Sequence, residues 1–232
     1  DWTINPWTLP GAADADQQSP DISEIIEEIT QISDWTPGSP ITIIIEPLEG
    51  EGARCAESKN GDGVGPMLTI ESDDIVEDSS TKPETYSNLN PAWINWSEEQ
   101  NSPEAKLYTL ANGLADQEED KSSGGLYNDS SDIELCHDGG EQVIGLRFTN
   151  DYHMIPKGSI VSNVYVQFKV DEIKDGSPLK VRITGEKSGS SQVFSGAYDI
   201  SNRPRTTASV EWNIPNWEHP GDAGADQQTP DL

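Results

Sequence analysis

The chain has 232 residues, and its 14 lysines and arginines face 42 aspartates and glutamates, for a formal net charge of −28. A surface this acidic repels nucleic acid and anionic membranes, so the composition excludes both as partners. No apolar run reaches the length of a membrane span, and we expect no membrane insertion.

The first element in chain order is a helix, predicted in the stretch SPDISEIIEEITQIS. Ser19 is a suitable N-cap, Pro20 suits the first turn, and Asp21 is favoured beside the positive end of the helix dipole. Helical spacing places five isoleucines on one apolar stripe, which we expect to close a hydrophobic core. These residues are Ile22, Ile25, Ile26, Ile29 and Ile32.

Strands follow the helix. The β-branched run from Ile41 to Glu46 predicts a strand buried on both faces, and PMLTIE predicts a second strand after the glycine-rich turn GDGVG. Residues 72–121 are acidic and lack periodicity, so we expect a linker or a loosely wrapped segment there. From about Ser122 the alternation of apolar and polar residues predicts further strands.

A repeat joins the two ends of the chain. Residues 1–22 align without gaps with residues 211–232, and twelve of the 22 positions are identical, including ADQQSPDI against ADQQTPDL. One domain has one place for such a segment, so we expect one copy to serve a neighbouring unit. In this reading residues 1–71 are the C-terminal half of one repeat, and residues 122–232 are the N-terminal half of the next, which stops before its own helix.

Several stretches together resemble a known kind of protein. VIGLRF, IPKGSIVSNVYVQFKVDE, RPRTTASVEW, ADQQTPDL and DISEIIEEI look like a repeated module of large bacterial and archaeal surface proteins. They are also distantly similar to the DNRLRE (disaggregatase-related) carbohydrate-binding-like domain. The resemblance implies an extracellular or cell-surface antiparallel β-sandwich, a jelly roll, with one packed amphipathic helix. Because the halves are permuted here, we expect the sandwich to be completed between neighbouring repeats.

The two cysteines, Cys55 and Cys136, are too few for a disulfide scaffold and lack the spacing of a metal site. In an oxidising compartment they would form one bridge, within a unit or between units. The alternative is two separate buried thiols. Asn95 and Asn128 begin the sequons NWS and NDS, which predict N-glycosylation.

Acidic loops suggest a cation, and Ca²⁺ is the one cofactor that the sequence brings into consideration. Calcium takes six to eight oxygen ligands, usually from loops. None of the acidic stretches has the spacing of an EF-hand, and a purely solubilising role for the acids remains the alternative. The candidate ligands are Asp14, Asp16, Asp62, Asp129, Asp132, Asp222 and Asp226.

No catalytic pattern is visible. The three histidines, His137, His153 and His219, lack metal-ligand spacing and stand beside no nucleophile pattern, so we predict that the chain is not an enzyme. Tryptophans instead recur in both copies of the repeat, which favours packing between units, together with the helix residues Ile22, Ile25, Ile26 and Ile29. These tryptophans are Trp2, Trp7, Trp212 and Trp217.

The sequence therefore predicts a structural subunit or repeat of an extracellular filament or surface adhesin. Its partners would be copies of itself, assembled head to tail by complementation of sandwich halves. The alternative is a secreted carbohydrate-binding module that would bind glycans. Its candidate stacking aromatics are Trp93, Trp96 and Tyr127.

Overall fold

The computed structural model describes residues 21–61, 65–72, 76–77, 105–110, 112–149, 153–174, 177–221, 223 and 229. The elements in chain order are α1 (Ser23–Thr30), β1 (Ile41–Glu49), β2 (Cys55–Glu57), β3 (Met67–Glu71), β4 (Val76–Glu77), β5 (Ala105–Leu110), β6 (Asp116–Asp120), β7 (Leu126–Tyr127), β8 (Asp132–Glu134), β9 (Gln142–Thr149), β10 (His153–Met154), β11 (Ser162–Gln167), β12 (Leu179–Glu186), α2 (Asp199–Asn202) and β13 (Arg205–Ile214).

Most of the strands belong to one curled antiparallel sheet, which confirms that the protein is mainly β. In the described part of the chain the strand order is β11-β3-β5-β9-β1-β12-β13, and β6 and β7 extend the sheet from β9. Two short pairs, β2 with β8 and β10 with β4, lie outside this sheet. The curled sheet thus has β11 and β13 at the two ends of its main path.

Strands from both predicted halves alternate in this sheet. β1 lies between β9 and β12, with Ile43 opposite Leu146 on one side and Gly185 on the other. β3 lies between β11 and β5, a strand of the predicted linker. Residues 21–71 and the strands beyond residue 122 therefore complete one sheet within a single chain.

Part of the predicted acidic linker, residues 72–121, is sheet instead, because β5 and β6 lie within it. The acids of β6 are mostly buried, and their carboxylates accept backbone hydrogen bonds. Glu118 accepts from the N–H of Glu134 at 2.7 Å, and Glu119 accepts from the N–H of Ile200 at 2.7 Å. The linker prediction fails here because these acids act as structural acceptors, a role that composition does not reveal.

The helix is shorter than predicted and starts later. It has eight residues, and Ile22, not Ser19, occupies its N-cap position. The cause is Asp21, whose carboxylate accepts the N–H of Ser23 at 2.9 Å and also the N–H of Val164 in β11. Residues 21 and 22 are thereby held against the sheet before the helix can begin. Ser19 lies outside the described residues.

Four of the five isoleucines predicted on the helix stripe build the core together with those of β1, whereas Ile32 lies beyond the end of α1 and is only half-buried. Ile22, Ile25, Ile26 and Ile29 are at most 1% exposed, and they join the main cluster of buried residues. In β1, alternate side chains point to opposite faces. Ile43 and Ile45 therefore enter the same core.

The other face of β1 is buried too. Ile44 belongs to a second, smaller cluster with Val143, Phe194 and Ile200, and Leu126 packs against it. This cluster lies beside α2, which begins the segment leading into β13. The prediction that β1 is buried on both faces is confirmed.

Candidate functional site

The outer edge of β11 binds both copies of the repeat. Val164 accepts the N–H of Ile22 at 2.7 Å, and its own N–H donates to the Asp21 carboxylate. Two residues further along β11, Val166 accepts the N–H of Thr229 at 3.0 Å and donates its N–H to Thr229 Oγ1 at 2.9 Å. We call the backbone groups of Val164 and Val166 on this edge the β11 track.

The spacing of the side-chain acceptors matches a single copy of the repeat. The repeat offset of 210 puts Thr229 at the position of Ser19, two residues before Asp21. Val166 and Val164 are also two residues apart, in the opposite direction. The side-chain acceptors of Thr229 and Asp21 therefore have the spacing of one antiparallel segment, although they come from different copies, whereas the backbone donors Thr229 and Ile22 correspond to positions three residues apart.

Helix α1 closes the gap between the two ends of the sheet path. It packs on β11, β12 and β13. The Glu28 carboxylate accepts the N–H groups of Thr207 and Ala208 in β13, at 2.7 and 2.9 Å, and pairs with Lys187 Nζ at 2.7 Å. Burial opposes ionisation of Glu28, but Lys187 and the two N–H groups outweigh it and hold its pKa below the usual value. We call this helix-binding surface, formed by β11, β12 and β13, the seam.

A glycine in β12 lets the helix lie close to the sheet. A Cβ atom placed on Gly185 would lie 2.6 Å from Ile29 Cδ1 and 2.7 Å from Ile25 Cγ2. Real side chains do not approach this closely, so any other residue would displace the side chains of Ile25 and Ile29. The seam therefore combines charged anchors at the surface with a tightly fitted apolar contact beneath them.

Trp212 and Trp217 pack inside this chain. Their rings lie 6.1 and 6.2 Å from the ring of Phe168, and both side chains are buried. These two members of the predicted inter-unit set thus fill a pocket of their own sheet. Their counterparts Trp2 and Trp7 lie outside the described residues. The sequence therefore offers two pairs of tryptophans that could fill this pocket, as it offers two segments that could bind the β11 track.

A second candidate site lies around β2 and β8, where acids gather about one cysteine. Among the described residues, two groups could hold a metal ion, and within each group the ligand atoms lie within 4.8 Å of one another. Only the second group consists of carboxylates alone, the ligands that Ca²⁺ prefers. The groups are Cys55, Asp132 and Glu134, and Asp132, Asp171 and Glu172.

The electrostatics of this cluster favour protons or cations. Burial, with Glu134 and Asp132 nearby, raises the pKa of Glu118 to about 8, although the Glu134 N–H opposes the shift. Burial and the Asp132 carboxylate, 3.1 Å from the thiol, raise the pKa of Cys55. Lys174 partly neutralises the cluster, since its Nζ lies 3.4 Å from Glu134 Oε1.

Of the predicted calcium ligands, only Asp129 and Asp132 lie among the described residues. Asp132 is common to both groups, whereas Asp129 is exposed and belongs to neither of those found in the described residues. The remaining candidates lie outside the described residues; they are Asp14, Asp16, Asp62, Asp222 and Asp226.

The cysteines are free thiols in the structure, in place of the predicted disulfide. Both are fully buried in the chain. Cys55 faces the acids of β8 and the segment after β11, while Cys136 Sγ lies 3.7 Å from the carbonyl oxygen of Ile45 in the core. The two thiols serve different packing environments.

Residues predicted to meet glycans are only partly described. Asn128 is exposed, as a glycosylation acceptor needs to be, and Tyr127 is 47% exposed. Asn95, Trp93 and Trp96 lie outside the described residues. Asn95 and Asn128 stay predicted glycosylation sites.

Sequence analysis missed the two features that organise the β11 track and the seam. Thr229 was not singled out, although its alignment with Ser19 was the available signal. Gly185 and Glu28 carry no local signal, because their contacts join residues far apart in sequence.

No family model, curated protein or solved structure matches the chain. Among the described residues, no helix combines the length and apolarity needed to cross a membrane. The likeness to prokaryotic surface modules stays an expectation drawn from the sequence.

Proposed function

We propose that this protein is a structural unit of an extracellular filament or surface adhesin, whose units associate head to tail through the repeated end segments. One observation carries the proposal: side-chain acceptors from both copies of the repeat bind the same edge of β11 with the spacing that they have in a single copy. A protein that works alone has no need of a second segment for one binding place.

Each residue that binds the track has a counterpart in the other copy of the repeat. Thr229 binds Val166 and Asp21 binds Val164. Their counterparts in the sequence are Ser19 and Asp231. These residues have the chemistry that the β11 track of another unit would bind. Because the two copies lie at opposite ends of the sequence, the contact they make is head to tail, and such a contact grows into a filament unless it closes into a ring.

The resemblance to surface modules supports the same function and supplies the setting. An extracellular or cell-surface location, and a two-layered jelly roll built from the curled sheet, stay predictions of that resemblance. The net charge of −28 suits a long assembly that must stay soluble and not cluster sideways.

Static light scattering on the purified full chain, native and then denatured under reducing conditions, tests the proposal. We expect native particles far heavier than the 25.3 kDa chain, which return to single chains on denaturation. A concentration series separates filaments, whose mass grows with concentration, from closed rings, whose mass does not.

A 25.3 kDa particle at every concentration would contradict the proposal. The carbohydrate-binding module would then be the leading function. Retardation of the monomer on immobilised polysaccharide, with an uncharged matrix as control, would test that alternative.

A further inference from the structure

The β11 track is bound through side chains in an unusual way. In ordinary antiparallel pairing, backbone carbonyls of the neighbouring strand accept the N–H groups of an edge. Here the N–H of Val164 donates to the Asp21 carboxylate and the N–H of Val166 donates to the Thr229 hydroxyl. Binding to this edge therefore depends on which side chains the incoming segment carries.

Four consecutive residue types satisfy the track. A hydroxyl is needed for Val166 and a carboxylate, two residues later, for Val164. The residue between them is proline in both copies, Pro20 and Pro230, and proline brings no N–H that needs an acceptor. The fourth residue enters the core as Ile22 does, so it must be aliphatic. The track thus reads Ser/Thr-Pro-Asp-Ile/Leu, the sequence present at both ends of the chain.

We propose that, in the assembled protein, the β11 track and the seam bind residues 19–22 together with α1 from a second copy of the chain, as one continuous segment that replaces Thr229. The inference rests on the proposed function and names the segment that joins one unit to the next. The partner is another molecule of this chain, recognised by its Ser-Pro-Asp-Ile motif and by the helix that follows the motif.

A continuous segment fits better than the split one. In the chain closed on itself, Thr229 and Asp21 are ordered separately, since no short stretch of chain links them. Residues 19–22 offer the hydroxyl and the carboxylate on one short peptide, so the second contact costs less ordering entropy once the first has formed.

The helix makes the exchange possible without new contacts. The elements that α1 packs against, β11, β12 and β13, all belong to the predicted N-terminal half of a repeat, residues 122–232. The anchors Glu28–Lys187 and Glu28–Ala208 likewise join the helix to that half. An identical helix from another copy makes the same contacts.

Isotope-mixed cross-linking of the unmodified chain tests the inference. Protein labelled with ¹⁵N and unlabelled protein are denatured together, refolded into polymer and treated with a zero-length carbodiimide. The reagent couples carboxylates to amines in contact, such as Glu28 and Lys187, whose atoms lie 2.7 Å apart. Mass spectrometry then measures the isotopic make-up of the peptide that contains this one linkage, and Glu28→Gln confirms its assignment.

Each outcome is decisive. If α1 is supplied by a second copy and the two proteins are mixed in equal amounts, linkages with one labelled and one unlabelled partner are as abundant as the two same-isotope kinds together. If polymer forms and the linkage is same-isotope only, the exchange is wrong, while the head-to-tail function stands. If light scattering finds no polymer, the proposed function fails and the inference fails with it.

A matched pair of variants tests the motif. We expect Ser19→Ala to lower the polymer fraction several-fold and Thr229→Ala to raise it, because Thr229 binds Val166 only in the unassembled chain and is displaced on assembly. Dilute monomer should show the reverse order of effects on the unfolding midpoint, since Thr229 binds Val166 there. A polymer fraction reduced equally by both changes, or more by Thr229→Ala, would overturn the inference.

Discussion

Asp21→Ala tests whether one carboxylate joins the start of the helix to the sheet edge. In the folded chain, Asp21 accepts the N–H of Val164, the N–H of Ser23 at 2.9 Å and the Ser23 hydroxyl. Val164 is fully buried, so its N–H has no water to replace the lost acceptor. Alanine removes all these contacts without adding volume.

The expected loss can be worked from these contacts. A buried donor left without a partner costs about 1 to 3 kcal/mol. The loss of the acceptor for the first N–H of a helix adds about 1 kcal/mol. The free energy of unfolding should therefore fall by about 2 to 4 kcal/mol, a large part of the total stability of an ordinary domain.

Urea unfolding of the dilute full chain measures this loss as a lower midpoint with an unchanged slope. Asp231→Ala is the matched control, since it alters the same residue type in the other copy, and we expect a change within about 0.5 kcal/mol. Asp21→Asn keeps one acceptor oxygen and should lose less than Asp21→Ala. Two results would refute the reasoning. One is an equal loss of stability for Asp21→Ala and Asp231→Ala, and the other is a loss for Asp21→Ala within about 0.5 kcal/mol, as for a surface substitution.

Three further predictions concern the core and its acids. Because folding raises the pKa of Glu118 from 4.5 to about 8, the folded chain holds an extra proton between these values, and its stability should fall there by about 1.4 kcal/mol per pH unit as pH rises. Glu118→Gln should flatten this slope in urea titrations from pH 5 to 8, and an unchanged slope would count against the buried acid as its source. Gly185→Val, which forces a side chain into Ile25 of α1, should cost about 1 to 3 kcal/mol in the same assay, and Gly185→Ala less; a neutral valine would mean that α1 can move outward freely. Trp217→Ala should cost about 3 to 5 kcal/mol and weaken the near-ultraviolet circular dichroism from its contact with Phe168, whereas a neutral result would place this ring outside the core.

Local patterns predicted the parts of the fold whose environment is uniform along the chain. The continuous β-branched run at Ile43–Ile45 and the helical spacing of Ile25 and Ile29 each mark burial, and the structure confirms both. The same logic failed for Glu118 and Glu119, because burial of a carboxylate depends on N–H groups supplied by distant residues.

The candidate site was predictable only in part for the same reason. The repeat pointed to Asp21 and to the end of the chain, since identical residues are visible in one sequence. The pairing of Asp21 with Val164 and of Thr229 with Val166 joins residues far apart along the chain, and no short-range pattern encodes it. The helix begins later than predicted for the same reason. The contact of Asp21 with Val164 outweighs the local preference for a cap at Ser19.

The side-chain readout on β11 has a consequence for the shape of any assembly built through it. A plain backbone edge tolerates slippage, and a slip by one residue turns every side chain to the opposite face. On β11 such a slip would set a proline or an aliphatic residue against an N–H that needs an oxygen. Each junction would therefore form in a single register. Successive units would then be related by the same rotation and rise. In the proposed filament, a regular pitch would follow from four residues and two N–H groups.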